Sequence, residues 1–409
     1  MGLVQKYPIY DNFHMIWHII TGEYPPQPGG VSDYTREIAK ALAGEEDVAH
    51  VWTPSWSSAA RSDRGIEIHP LPRGFGIRWL TELSRGLRRY PAPRNIVIQY
   101  VPHMYGWKSM NLAFCCWLAA LRNCNRMVMF HEVAFPFRAG QPQKHDLMAI
   151  VHRIMAWIVL RSADSVFTST DYNRALLLQL APSNSEVGTL RICSNIPFNT
   201  APNSVSPAPL ENSASLHFTV GVFSSFGREI CDLLEPVLPC VLENPSIRVF
   251  LIGPARSFID SLTARFPQLA GRITSTGRVQ ASTAGPYLQD CDVLLQLFPD
   301  GACAARGTLV AALASGVPVV STRGPLTDRL LEESGALLFA ENSPEGIGAA
   351  IGSLRSDPAS ARRIGDRAIR LCKEHFHPKT IASQLCRRAV LYWTTVFVAQ
   401  DHLRFLVGV

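Results

Sequence analysis

Residues 297–324 read LFPDGACAARGTLVAALASGVPVVSTRG, and the alternation inside this stretch sets the reading of the whole chain. The apolar run Val293, Leu294, Leu295, Leu297 and Phe298 has the length and continuity of a buried strand. Pro299-Asp300-Gly301 ends it as a tight loop, and helical spacing of small residues starts at Ala302. Gly316 stands where a helix C-cap belongs, and Val317-Pro318-Val319-Val320 follows as a second buried parallel strand. A helix that starts at the carboxyl end of a parallel strand aims unpaired N–H groups and the positive end of its dipole at a crevice, a ready place for phosphate. Taken alone, the stretch equally fits any strand–helix unit of a doubly wound domain.

Upstream, the same alternation runs back to residue 218. Residues 218–223 read as a strand, 224–228 as a loop and 233–242 as a helix. A strand at 248–252, a helix at 258–266 and a strand at 273–276 follow, and Gly277-Arg278-Val279-Gln280 forms the next loop. Downstream, residues 344–353 and 358–375 read as helices, and 379–405 as a long terminal helical segment. Residues 198–215 are rich in Pro, Asn and Ser without periodicity, which marks a linker.

The first half repeats the pattern. Residues 15–20 (MIWHII) read as a strand, Gly29-Gly30 as a loop a ligand can approach closely, and residues 32–43 as an amphipathic helix capped by Ser32 or Asp33. Residues 95–100 and 126–130 are further buried strands, the second delivering His131-Glu132 at its carboxyl end. Strands alternating with helices predict parallel sheets covered on both faces. The expected domains are 1–200 and 216–384, joined by a linker at 201–215, with residues 385–409 returning to complete the first.

Composition narrows the class. A chain of 409 residues has room for two cores, and 47% hydrophobic with 18% charged residues excludes a disordered tail protein. The net charge of +6 is modest and the basic residues are scattered, so no nucleic-acid partner is expected. Short clusters at residues 85–89 and at Arg362-Arg363 leave an anionic ligand or peripheral contact with an anionic membrane surface open. Ten cysteines without a C-x-x-C pair predict reduced thiols and no structural zinc. With no signal peptide and no long apolar run, a cytoplasmic protein is expected, and peripheral contact at the inner membrane face stays open.

Five motifs stand in a fixed order: GEYPPQPGGVSDYT (22–35), FHE (130–132), SNIP (194–197), TGRV (276–279) and ASGVPVVST (314–322). Together they resemble the family-4 retaining glycosyltransferases over roughly residues 14–385. That resemblance implies the GT-B fold: two facing Rossmann-like domains, an acceptor in the first, a nucleotide sugar in the second, and a final helix crossing back. It implies that Gly29 and Gly30 lie near the donor phosphates and that His131 lies near the transferred sugar. It implies that Arg228 faces the diphosphate and that Gly277, Arg278 and Val279 hold the base. His131 also fits as a hydrogen-bonded strand-end histidine with no such role.

The opening stretch departs from the family. Many relatives carry two glutamates eight positions apart there, and Cys303 and Ala311 occupy those positions, neither of which binds a sugar hydroxyl as a carboxylate does. Asp300, Gly301, Ala304, Arg306, Gly307 and Thr308 remain as candidate donor contacts. Arg306 is read either as a substitute for a family cation replaced here by Val222 or as a packing arginine; Arg323 and Asp328 are further polar candidates.

The resemblance implies transfer of a sugar from a nucleoside-diphosphate sugar to a glycan, lipid-linked or small-molecule hydroxyl. The transfer would proceed with retention, without a metal or other cofactor, and with fixed charges and dipoles stabilising the leaving diphosphate. A non-catalytic scaffold of the same fold, motivated by the missing glutamates, and a nucleotide-sugar epimerase are the alternatives.

Overall fold

The computed structural model of the chain describes residues 15–44, 47–55, 62–63, 65–92, 94–182, 185–194, 196 and 217–407. The expected linker at 201–215, and Asn195 and Pro197 of the SNIP motif, lie outside the described residues. The chain divides into two compact units. The first comprises Met1–Thr168, Asn173–Leu190 and Ala382–Val409, the second Ser169–Tyr172 and Arg191–Ile381.

In the first unit, strand β1 (Ile16–Ile20) leads to helix α1 (Gly30–Leu42), β2 (Val48–Pro54), a short β3 (Ser62–Asp63), β4 (Ile66–Leu71) and α2 (Ile77–Leu87). Then come β5 (Arg94–Tyr100), α3 (Leu112–Ala120), β6 (Cys124–Phe130), α4 (Gln143–Ser162), β7 (Ser165–Thr168), α5 (Asp171–Leu180) and β8 (Val187–Thr189). The sheet order is β3-β4-β2-β1-β5-β6-β7-β8, parallel except for β3. The strand order reverses between β1 and β5, so the loops after these two parallel strands open at a switch point.

The second unit contains β9 (Phe218–Phe223), α6 (Arg228–Val241), β10 (Ile247–Ile252), α7 (Arg256–Arg265), β11 (Ile273–Ser275), α8 (Ala281–Gln289) and β12 (Val293–Gln296). It continues with α9 (Gly307–Ala314), β13 (Val319–Thr322), α10 (Arg329–Ser334), β14 (Leu338–Ala340), α11 (Pro344–Ser356) and α12 (Pro358–Leu371). Its sheet runs β11-β10-β9-β12-β13-β14, all parallel, which is the doubly wound order of a Rossmann-like domain. Successive side chains of a strand point to opposite faces. Leu294 and Ile252 accordingly join a core with α9 and the end of α12, whereas Val293, Leu295 and Leu251 join another with α6 and α11. Both faces are buried, which explains the continuous apolar runs of the sequence.

The last helix, α13 (Pro378–Val407), begins in the second unit and passes into the first at Ala382. There Arg388 forms a two-pronged pair with Glu186, Tyr392 Oη donates to the Cys124 carbonyl (3.2 Å) and Trp393 Nε1 donates to Asn95 Oδ1 (3.0 Å). The terminal segment is therefore part of the first unit's structure.

Several boundaries differ from the sequence reading. Helix α6 starts at Arg228, five residues before expected, and carries Pro236 and Pro239 inside it. Helix α9 starts at Gly307 rather than Ala302, because the turn before it is held by the buried Asp328 carboxylate and by bonds to the neighbouring loop. Neither Ser32 nor Asp33 caps α1: it begins at Gly30, and the Glu23 carboxylate accepts the Ser32 N–H (3.0 Å). The short α10 and β14 carry too few residues to show a period and were not legible in the sequence.

Candidate functional site

In the second unit the switch point lies between β9 and β12, so the loops at their carboxyl ends flank one crevice. After β9 the chain turns through Phe226, a non-glycine residue at φ +51°, a left-handed conformation that costs an L-residue about 1–2 kcal/mol. Ser224 Oγ accepts the Phe226 N–H (3.1 Å) and the Phe226 ring packs on the core, which together hold that conformation. The result delivers Arg228 as the first residue of α6, at the positive end of the helix dipole. Its side chain is 93% exposed and, among the described residues, its one ion-pair approach is to Asp232, at 3.8 Å. A surface pair of that kind contributes about 0–1 kcal/mol, so the guanidinium is available to an anion.

After β12, Gly301 turns at φ +88°, and a Cβ there would collide with the Gly324 backbone and Thr327. The two loops are zipped together: Ala302 N–H donates to the Thr322 carbonyl (3.2 Å) and Leu326 N–H to the Asp300 carbonyl (2.9 Å). Gly301 is thus required by the close approach of two protein loops. Ala304 is fully buried and its N–H donates to Asp328 Oδ2, so this residue offers no donor to a ligand. Asp328 is itself 1% exposed, and its Oδ1 accepts from Arg191 (3.2 Å) and from the Asp171 N–H (3.2 Å).

The clasp fixes where α9 begins. Arg306 is the N-cap of α9, and its guanidinium lies 5.3 Å over the Phe298 ring and 3.7 Å from Asp300. Arg306 and Asp300 therefore offset one another. Among the described residues, the N–H groups of Gly307, Thr308 and Leu309 donate to no protein acceptor, whereas the Val310 N–H is bound to the Arg306 carbonyl (3.1 Å). Eight residues are too few for a stable isolated helix, and burial of Leu309, Val310 and Leu313 holds α9 in place. Cys303 and Ala311, at the positions of the family's two glutamates, are both interior. Burial, with the Asp328 carboxylate nearby, pushes the Cys303 thiol up to about 11.

In the loop after β11, Gly277 takes φ +72°, and Thr276 Oγ1 ties the Gly253 N–H (3.0 Å) to the Gly277 carbonyl (2.9 Å). Arg278 is exposed, and Val279 packs on the core. Arg323 is a surface residue, paired with Glu332 (3.1 Å) and lying 4.4 Å over the Phe339 ring.

In the first unit, the Gly-Gly loop follows β1. A Cβ on Gly29 would run into the Glu23 carboxylate, while Gly30 faces open space. Glu23 thus occupies the N-terminus of α1, and burial raises its pKa. An anion approaching that terminus meets Glu23 first. His131 stands at the end of β6, with its Nε2 2.7 Å from Gln99 Oε1 and its ring edge-on to Tyr34 at 5.1 Å. Burial pushes its pKa down to about 4, so the imidazole is neutral at pH 7. Glu23, Tyr34 and Gln99 were missed as partners in the sequence, although Glu23 and Tyr34 lie inside the GEYPPQPGGVSDYT motif.

The depressed pKa carries a stability consequence. The unfolded chain takes up a proton near the ordinary value of 6.5 that folded His131 refuses until about 4. Its neutral form therefore favours the fold fully above 6.5, and stability falls as pH drops from 6.5 to about 4. Urea unfolding at several pH values is expected to show this slope, reduced by about one proton in His131→Gln.

The second unit is thus a doubly wound, Rossmann-like sheet with an exposed cation and an open helix N-terminus at its switch point. Residues 29–190 match the Glycosyl transferase 4-like domain, and residues 217–357 match Glycosyl transferases group 1. The chain carries both domains in order and belongs to the glycosyltransferases of GT-B fold. No curated protein matches it in sequence. Among solved structures, a sucrose-phosphate synthase from Thermosynechococcus elongatus is 17% identical, with 94% of this chain and 100% of that one covered and a TM-score of 0.67. Anabaena HepE, solved with UDP and glucose, is 16% identical over 92% and 100%, with a TM-score of 0.63. A glycosyltransferase from Rickettsia africae is 13% identical over 92% and 97%, with a TM-score of 0.66. At these identities the likeness is one of fold.

Proposed function

We propose that the protein transfers a sugar from a nucleoside-diphosphate sugar to an acceptor hydroxyl, with retention and without a metal ion in the transfer step. The observation that carries the reading is the β9–β12 switch point, where exposed Arg228 and the open N–H groups of Gly307 and Thr308 meet the chemistry of a diphosphate. Charge that builds on the leaving diphosphate is stabilised by these fixed groups, which need no reorganisation as the bond breaks. Solved structures of HepE with UDP and with UDP-glucose support a nucleotide-sugar donor. His131, neutral and half-buried, serves the sugar as a hydrogen-bonding group rather than as a cation.

A lipid-linked acceptor at a membrane surface is favoured by α4. Its Leu147, Ile150, Ile154 and Trp157 recur at helical spacing and are all exposed, with Phe137 beside them under Arg153. Among the described residues no helix is long and apolar enough to cross a membrane. Ten free cysteines support a reducing, cytoplasmic setting.

The interior placement of Cys303 and Ala311 favours a second reading, a scaffold that binds a nucleotide without turnover. Incubation with a panel of nucleotide sugars and acceptors, including lipid-linked glycans in anionic vesicles, separates the readings. Transfer to an acceptor supports the proposal, and nucleotide binding without product supports the scaffold. A changed sugar released without acceptor identifies an epimerase, and absence of binding to every donor overturns all three. Sedimentation with the same vesicles reads the membrane contact.

A further inference from the structure

The sequence shows no metal-ligand cluster at short spacing, yet the register of the first sheet assembles one. His50 on β2 lies directly opposite Glu67 on β4, and His69 follows Glu67 by two residues, on the same sheet face. His50 Nδ1, His69 Nε2 and Glu67 Oε2 converge: the two nitrogens are 3.1 Å apart, and the carboxylate oxygen is 3.2 Å from the first and 3.7 Å from the second. We propose that these three atoms, all of the first unit, bind a divalent first-row transition ion of the zinc type.

The size of the triangle supports an ion. Its circumradius is about 1.9 Å, so an ion at zinc–ligand distances of about 2.0–2.1 Å sits roughly 0.6 Å above its plane. A regular tetrahedron with such bonds has its centre about 0.7 Å above each face. The chemistry agrees. Each neutral imidazole carries one N–H, and a carboxylate only accepts. Whichever tautomers the two rings take, at least one of the three contacts sets like against like, two lone pairs or two N–H groups, whereas a single cation satisfies all three atoms. Imidazole nitrogen with carboxylate oxygen is a donor set that suits zinc and its neighbours.

Both imidazoles are held in place beforehand. His18 stacks on His50 (5.1 Å, 19°) and Trp52 stacks on His69 (4.1 Å, 17°). His18 is fixed in turn, because Trp52 Nε1 donates to its Nδ1 (3.2 Å). The Tyr90 hydroxyl lies 3.4 Å from His69 Nε2, within reach of the ion or of a water bound to it. A pocket of about 470 Å³, lined by Glu67, His69, Arg85 and Arg89 among others, opens beside two of the three ligand residues. The ion would join β2 to β4 near the edge of the first sheet, so its effect is on stability.

The test uses the full chain, dialysed against a chelator and then titrated with Zn²⁺ or Co²⁺ alone. One equivalent of Zn²⁺ retained through gel filtration, an absorption band of four-coordinate Co²⁺, and a rise in Tm on metal addition are expected. Glu67→Gln and His69→Gln are each expected to weaken binding by about 100-fold or more and to abolish the Tm response, while His375→Gln keeps both. Circular dichroism of the metal-free variants reads their folding independently. Failure of the wild-type chain to retain an equivalent of Zn²⁺ overturns the proposal, whatever the variants do. So does binding that His69→Gln and Glu67→Gln leave unchanged.

Discussion

Replacing Arg228 with alanine is expected to lower kcat/KM for the nucleotide-sugar donor by roughly 10²–10³-fold, the usual loss when one preorganised charge-stabilising group is removed from a reacting site. The side chain starts α6 at the carboxyl end of β9, with only a 3.8 Å approach to Asp232, so almost nothing in the fold depends on it. Thermal stability should accordingly change by no more than about 0.5 kcal/mol. Steady-state kinetics over a range of donor concentrations, with unfolding measured in parallel, checks both halves. Arg228→Lys keeps the charge but loses the planar fork, so an intermediate rate is expected. A loss smaller than about threefold would remove Arg228 from the transfer step and shift the burden to the N–H groups of α9 and to Arg306, already engaged with Asp300.

Much of this arrangement was legible in the residues. The buried strands announce themselves because both faces of each sheet are covered, so runs such as VLL at 293–295 are apolar without interruption. Gly316 was readable as a helix end, and it does take φ +79°, one residue past the Ser315 C-cap of α9. The sites were harder to read because their partners are set by sheet order and not by spacing. Glu23 reaches Ser32 by folding back over its own loop, and Gln99 reaches His131 because β5 lies beside β6. The start of α9 depends on Asp328, which lies 24 residues from Ala304 along the chain. His50, Glu67 and His69 illustrate the same limit, since only the β2–β4 register brings them together.

Asp328→Ala is expected to have the largest effect on stability, and the reason is the company this carboxylate keeps. One oxygen accepts from Arg191 and the Asp171 N–H, and the other accepts from the Ala304 N–H. Asp328 is 1% exposed and the Arg191 side chain 12%. Alanine leaves that guanidinium with the Ser169 carbonyl (2.8 Å) and a distant Asp171 carboxylate (3.8 Å) as partners, and frees two backbone N–H groups. Breaking a buried pair from one side costs about 3–5 kcal/mol, mostly from the charge left behind. Urea unfolding followed by a probe in the second unit reads this loss, and Arg191→Met combined with Asp328→Ala should recover part of it, since the stranded charge is then gone. Asp328→Asn retains an acceptor without the charge and should fall between the two. Because Asp328 holds the turn that precedes α9, the Asn variant should also bind donor more weakly, raising its KM before kcat falls. A stability loss below about 1 kcal/mol in Asp328→Ala would mean that the turn at 302–306 is held by the loop-to-loop backbone bonds alone.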